Sequence, residues 1–325
     1  MKKILWIALV ATFFFSCKKG TDEKYLPDSV GAINTLAVVI DNEMWKGKVG
    51  DEIRKYFAAP VDGLPWDEPL FSIHQMPPVV FDGFARNSRN IIVVQKEVEP
   101  GSGISEDPYA QPQKVAFFKG ETDDDIIELI QKGAPKVIRT FKDHELKENV
   151  KRMKRSLNKE TVLKEKLGIS MTMPSVYKVA KQEEDFVWIR RELTKGHMNI
   201  LAYELPLNGI PNDSTKVEAI IKMRDSIGER YIPGREEGMY MITEKAYAPY
   251  VFNASIAGRT STETKGMWEV KNFFMAGPFI NYIVEDKPNG RLLVIEGFTF
   301  APSTNKRDYM FELETILKSL RFEES

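Results

Sequence analysis

The chain has few residues that could carry reactive chemistry, and the first of them is its single cysteine, Cys17. This residue lies where an apolar stretch ends and a polar stretch begins, in the sequence FFFSCKKGTDE. Lys2 and Lys3 follow the initiator methionine, and residues 4–15 are apolar apart from Thr12. A basic start followed by a short apolar run is typical of an export signal. The run is shorter than the roughly 20 residues that a membrane-spanning helix needs.

The residues before Cys17 resemble the lipobox of bacterial lipoproteins, with small Ser16 just before the cysteine and Phe14 and Phe15 before that. The resemblance implies that residues 1–16 are a signal peptide removed at export, and that Cys17 then carries acyl chains. Two or more chains anchor a protein stably, at about 0.8 kcal/mol per buried methylene. A buried, inert cysteine is the alternative. We therefore predict lipidation of Cys17 and attachment to a bacterial envelope membrane, on the periplasmic side of the inner or outer membrane or at the cell surface.

The three histidines, His74, His144 and His197, form no recognisable catalytic or metal motif. His144 begins a sequence like H-E-x-x-H, but Glu148 stands where the second histidine would be, and two ligands are too few for zinc. No G-x-S-x-G, phosphate-binding or G-x-G-x-x-G motif occurs. A Ser-His-Asp triad assembled from distant residues stays open. We predict no catalytic residue, no metal and no cofactor.

Paired carboxylates could support glycoside hydrolysis, but 47 acidic residues leave no pair distinguishable by spacing. Glu263, Glu269 and Glu296 lie in a strand-rich region, where an inward-facing carboxylate would favour a hydrolase. We expect these three side chains to face outwards from the sheet.

Arginines close to aromatic residues are typical of binding surfaces. Arg86 and Arg89 precede a buried strand, Arg307 and Asp308 open the last helix, and Trp268 lies in the strand-rich region. We take these five residues as a candidate surface for a partner or ligand, with structural ion pairs and a core tryptophan as the alternative. A basic cluster is interpreted as a solvated helix face, or as a contact with anionic lipid near the anchor: Lys147, Lys151, Arg152, Lys154 and Arg155.

Composition excludes some classes of protein. The 46 basic and 47 acidic residues nearly balance, so no overall positive field attracts nucleic acid. Hydrophobic residues make up 42% of the chain, which is enough for a folded core. The length and the change in pattern predict a tether over 17–31, an N-terminal α/β domain over 32–160 and a C-terminal α+β domain over 161–325.

Local patterns predict the elements. Thr122 should cap a helix that Pro135 kinks or splits. Residues 215–218 read as a capping box, and Asn289-Gly290 as a hairpin turn. We predict an α+β fold in two domains, with a mixed N-terminal half and a C-terminal antiparallel β-meander that has helices packed on one face.

Several stretches are similar to the domain of unknown function 4837 family of bacterial envelope lipoproteins. They are SRNIIVV from residue 88, STKVEAIIKMRDSIGERYIPG from 214, AYAPYVF from 246, WEVKNFFMAGPFINY from 268 and EGFTFAPSTNKRDYMFELETILKSL from 296. The resemblance implies an exported lipoprotein and no particular activity. The order of elements over 161–325 also resembles the PsbP-like fold, and a shared fold does not define a function.

These observations favour a membrane-anchored, non-catalytic module that binds an envelope protein or an envelope polymer such as a glycan. Two alternatives stay open. One is a hydrolase of cell-wall or glycan material, and the other is a carrier with a small-ligand pocket between the two domains.

Overall fold

The computed structural model describes residues 25–323. The predicted signal peptide, Cys17 and the tether up to residue 24 lie outside this range. None of the helices within it is long and apolar enough to cross a membrane.

The N-terminal half is built on a five-stranded sheet in the order β2-β1-β3-β5-β4. The first four strands in this order are parallel, and β4 pairs antiparallel with β5. The strands are β1 Thr35–Val39, β2 Ser72–Met76, β3 Asn90–Lys96, β4 Gly101–Glu106 and β5 Lys114–Gly120. The helices are α1 Asn42–Lys46, α2 Lys48–Phe57 and α3 Asp123–Met153. Helices α2 and α3 cover one face and enclose a core that includes Val38, Phe57, Phe71, Ile92, Phe118 and Phe141.

Helix α3 connects the two halves. Its amino end has the predicted cap, since the Thr122 hydroxyl accepts from the Asp125 amide while the Asp125 carboxylate accepts from the Thr122 amide. Of the two outcomes predicted at Pro135, a kink or a split, the split does not occur, because α3 continues through this residue as one helix of 31 residues. Proline removes one backbone hydrogen bond, and the buried stripe that continues from Ile126 to Phe141 holds the helix together across that gap.

The C-terminal half is an antiparallel sheet in the order β10-β12-β13-β14-β9-β8-β7, with β11 also paired to β12. Its strands are β7 Lys178–Gln182, β8 Phe186–Leu193, β9 Gly196–Pro206, β10 Met241–Thr243, β11 Tyr250–Ile256, β12 Arg259–Val270, β13 Phe273–Asp286 and β14 Arg291–Phe300. Two short strands pair separately, β6 Ile169–Ser170 and β15 Arg321–Phe322. The helices are α4 Val162–Leu167, α5 Lys216–Tyr231 and α6 Arg307–Lys318.

The predicted fold class is confirmed, and so is the hairpin at Asn289-Gly290, where Gly290 has a φ of 66°. The helices of the C-terminal half, however, cover both faces of the sheet instead of one. Helix α5 packs through Ile220 against one face, and α6 packs through Leu313 against the other. The reason is that the central strands β9, β13 and β14 are apolar on both sides, so each side needs a cover.

The start of α5 differs from the prediction. Thr215 is its N-cap residue but makes no capping hydrogen bond. Its hydroxyl donates instead to Asp213, at 2.6 Å, so the predicted capping box does not form.

Candidate functional site

A cleft of about 400 Å³ lies where the two halves meet. Helix α3 and residues 61–64 form one side, and β12 and α6 form the other. Its apolar walls include Leu64, Leu70, Ile138, Leu146, Met310 and Phe311. Charged side chains also line it, among them Arg139, Lys142, Lys265, Arg307, Glu314 and Lys318.

Lys142 differs from the other charged groups of the cleft because only neutral oxygens bond to it. Its Nζ donates to Asn34 Oδ1 at 2.9 Å and to the Leu70 carbonyl at 3.0 Å. The ammonium lies 4.7 Å from the ring centre of Phe71 and 5.0 Å from that of Phe311. Within residues 25–323, no carboxylate oxygen lies within 4.0 Å of it. Burial lowers the pKa of Lys142 to about 8.

The other buried charges of the cleft are neutralised. Lys265 pairs with Glu263 at 2.9 Å, and Glu314 pairs with Lys318 at 2.5 Å. Burial alone would raise the pKa of Glu314, but Lys265 and Lys318 outweigh it and the pKa lies below its usual value. Burial would likewise lower the pKa of Lys265, and the attraction of Glu314 and Glu263 raises it. Two cations of the cleft have no carboxylate partner among residues 25–323, Arg139, which is exposed, and Lys142, which is the more buried of the two.

Glu68 joins the halves at the amino end of α6. Its carboxylate accepts hydrogen bonds from the backbone amides of Lys306, at 2.7 Å, and Arg307, at 2.9 Å. The Arg307 guanidinium donates to the Pro69 carbonyl at 3.0 Å and pairs with Asp308 at 2.9 Å. Arg307 and Asp308, two of the candidate surface residues, thus lie at the junction that forms the cleft.

Arg89 lies in the interior, which corrects the expectation of a surface position. It is 2% exposed and forms a two-point ion pair with Glu145 at 2.8 and 3.0 Å. Its other hydrogen bonds go to the carbonyls of Gly31 and Ala32. A side chain enclosed in this way cannot contact a partner protein, and the alternative of a structural ion pair applies.

Trp268 is also buried, at 2% exposure, and its indole nitrogen donates to the Thr299 carbonyl at 3.3 Å. It belongs to the core under α5 and not to a binding surface. Of the five candidate residues, Arg86 and Asp308 keep substantial exposure, at 44% and 60% of their side chains.

Glu296 faces inwards, contrary to expectation. Its carboxylate accepts from Arg224 at 2.8 and 2.7 Å and from Asn281 at 2.9 Å. It lies on β14, a central strand whose two faces are both covered, so no outward face exists for it. With both oxygens bonded to a buried arginine, this carboxylate offers no support for a hydrolase.

The histidine and carboxylate pair on α3 is engaged in other contacts. His144 Nδ1 lies 3.0 Å from Asn90 Oδ1, and Glu148 pairs with Arg152 at 2.8 Å. In the described part of the chain, no group of three or more His, Cys, Asp or Glu side chains is placed to hold a metal ion.

Sequence reasoning missed Lys142 and Glu68. Lys142 follows Phe141 on α3 and resembles any lysine beside a buried stripe. Glu68 lies in a proline-rich loop, 238 residues from the amide that it caps. No local signal distinguishes either residue, because each acts on a segment distant in sequence.

The chain belongs to the family of the domain of unknown function DUF4837, whose model matches residues 156–319. A second domain of unknown function, DUF8532, matches residues 29–154. No curated protein matched the chain. Among solved structures it is similar to cyanobacterial PsbP (CyanoP) from Synechocystis sp. PCC 6803. That similarity has 11% identity and a TM-score of 0.31, and it covers 51% of this chain and 92% of the other.

Proposed function

We propose that this protein is a lipid-anchored, non-catalytic binding protein of the bacterial envelope, whose ligand occupies the cleft between the halves. The observation that carries the proposal is Lys142, a desolvated cation beside the cleft without a carboxylate partner among the described residues. Its ligand would be a small molecule with one anionic group and an apolar part.

The walls of the cleft suit such a ligand. A charge-assisted hydrogen bond from Lys142 to an anion would be stronger than its present bonds to neutral oxygens. Leu64, Ile138 and Phe311 offer an apolar surface for the remainder of the molecule. The volume of about 400 Å³ also lies in the usual range for small-ligand pockets, roughly 300–1,000 Å³.

Calorimetric titration with decanoate tests the proposal, with decyltrimethylammonium as a probe of the same chain length and opposite charge. We expect decanoate to bind and the ammonium compound not to bind. Lys142→Met keeps an unbranched side chain and removes the ammonium group, and should weaken decanoate binding about tenfold. Lys136→Met, an exposed lysine on the same helix, is the control and should bind like the unchanged protein. Equal binding of both probes, or no effect of Lys142→Met, would contradict a role for this cation.

The anchor is tested separately. Cells that express the chain are fed a labelled fatty acid, and the protein is followed in the membrane fraction. Changing Cys17→Ser should abolish the label and release the protein from membranes. Label that persists in this variant would exclude Cys17 as the site of lipidation.

A further inference from the structure

Three large apolar side chains project into solvent from one short loop of the N-terminal half, which spans residues 78–88 and is called here the apolar loop. Val79 is 87% exposed, Val80 53% and Phe84 74%. Single exposed apolar residues are common, but a cluster of them on a loop indicates a surface that contacts something.

Contacts at its base hold the apolar loop in place on the N-terminal half. The rings of Phe81 and Tyr109 pack edge to face with centres 5.5 Å apart, and the Arg86 guanidinium lies over both. Arg86 Nε also donates to the Phe81 carbonyl at 3.1 Å. Gln113 Nε2 donates to the carbonyls of Arg86, at 2.6 Å, and Ser88, at 2.7 Å. Because these contacts fix the base of the loop, its apolar side chains are presented outwards at little entropic cost.

The chain joins the folded body beside this loop. The Val30 amide donates to the Asn87 carbonyl at 2.8 Å, and the Arg89 amide donates to the Val30 carbonyl at 3.0 Å. Asp28, which forms a β-bridge with Gln111, is only eleven positions after Cys17. A segment of that length reaches at most about 40 Å. An acyl chain on Cys17 would thus keep this part of the molecule close to the lipid.

Positive charge flanks the same junction. Arg152 Nη2 donates to the Gly31 carbonyl at 2.9 Å, so the carboxyl end of α3 lies next to the incoming chain. Lys151, Lys154 and Arg155 are exposed there. Such a cluster is attracted to anionic headgroups within about a Debye length.

We propose that the apolar loop is a membrane-contact surface, in which Val79, Val80 and Phe84 enter the interface of the bilayer that carries the anchor. The proposal rests on the proposed lipidation of Cys17 for its geometry. Apolar side chains on a fixed base and cations beside them match the two layers of that interface, the acyl boundary and the headgroups.

The experiment attaches the protein to vesicles without using the acyl chains. The chain from residue 17 onwards carries Cys17→Ser and an amino-terminal polyhistidine tag, and it binds vesicles of phosphatidylethanolamine and phosphatidylglycerol that contain nickel-chelating lipid. Phe84→Cys then provides one thiol for an NBD fluorophore. Phe274→Cys is the matched control, since Phe274 is fully exposed at the start of β13 in the other half.

Quenching by lipids with a nitroxide in the acyl chain reports insertion. The label at position 84 should be quenched about twofold or more relative to that at 274, because interfacial side chains lie roughly 5–10 Å deep. A label at Val79→Cys should behave like that at 84. Equal quenching at 84 and 274 would overturn the proposal. The two proposals fail separately, since fatty-acid labelling reports the anchor and quenching on tagged vesicles reports the loop.

Discussion

Within residues 25–323, two arginine–carboxylate pairs have both side chains almost fully buried, Arg89 with Glu145 and Arg224 with Glu296. Each carboxylate accepts two hydrogen bonds from its arginine and one from an asparagine side chain, and Glu145 also accepts from the Asn34 backbone amide, so the charges are satisfied. Such a pair adds little net stability compared with an apolar replacement, but breaking it leaves an uncompensated buried charge.

We expect Glu145→Gln to lower the free energy of unfolding by about 3–5 kcal/mol, because Arg89 would stay buried without an anion. Urea denaturation followed by circular dichroism measures the change. Glu43→Gln is the control, since Glu43 pairs with Lys46 on the surface and its loss should cause no measurable change. Equal losses of unfolding free energy in the two variants would show that the buried Arg89–Glu145 pair matters no more to stability than a surface pair.

Lys142 should give the protein a pH dependence of stability. Its pKa falls from 10.5 in the unfolded chain to about 8 in the folded protein. Between these values the unfolded state binds more protons, so the free energy of unfolding rises with pH, by about 3 kcal/mol over the whole window. Lys142→Met should remove this slope between about pH 8 and 10.5, whereas Lys136→Met should keep it. Urea denaturation at several pH values measures the slope, and an unchanged slope in Lys142→Met would assign it to another group.

The same titration should affect the ligand. We expect decanoate to bind the protonated form of Lys142. Its affinity should therefore be highest below about pH 8 and fall as the pH rises above that value. Calorimetry at two pH values measures this, and binding that is independent of pH would place the anion elsewhere.

At the scale of elements, two helices contact the other half of the molecule near one of their ends. Helix α3 extends from the N-terminal sheet until Asn149 Nδ2 donates to Thr315 Oγ1 of α6 at 3.0 Å. Helix α6 in turn begins at the Glu68 carboxylate, which satisfies two of its free amides and matches the positive end of its dipole.

Glu68→Ala should therefore destabilise the protein by about 2 kcal/mol, the upper range for a lost cap. It should also weaken decanoate binding, because α6 forms a wall of the cleft. Thr122→Ala removes the cap of α3 at its far end and should cost about 1 kcal/mol without affecting the ligand. Denaturation and calorimetry on both variants compare them. Equal ligand binding by Glu68→Ala and the unchanged protein would show that the cap does not position the cleft.

At the scale of the whole molecule, Glu68, Asn34 and Asn149 link the halves through hydrogen bonds. Links of this kind couple the unfolding of one half to that of the other. Two tryptophans report on the halves separately, Trp45 beside α2 and Trp268 under α5.

We expect unfolding in a single transition. In variants that keep Trp45 or Trp268 as their one tryptophan, with phenylalanine at the other positions, the fluorescence midpoints in urea should coincide. The boundary predicted near residue 160 stays a prediction, and two separate midpoints would indicate that the halves are independent domains.

The sequence by itself determined the features that depend on neighbours along the chain. The cap at Thr122 involves residues three apart, and the turn at Asn289-Gly290 needs only its own dihedral angles. The α+β class follows from the same kind of local pattern. Short-range interactions of this type are encoded in adjacent residues, so they can be recognised before the fold is known.

Only the tertiary structure decided which charged residues are buried and what they serve. Arg89 meets Glu145 across 56 positions, and Lys142 meets Asn34 across 108. The two covered faces of the C-terminal sheet likewise turned Glu296 inwards. Spacing carries no information about such contacts, because the free energy of a charge depends on its surroundings in space and not on its neighbours in sequence.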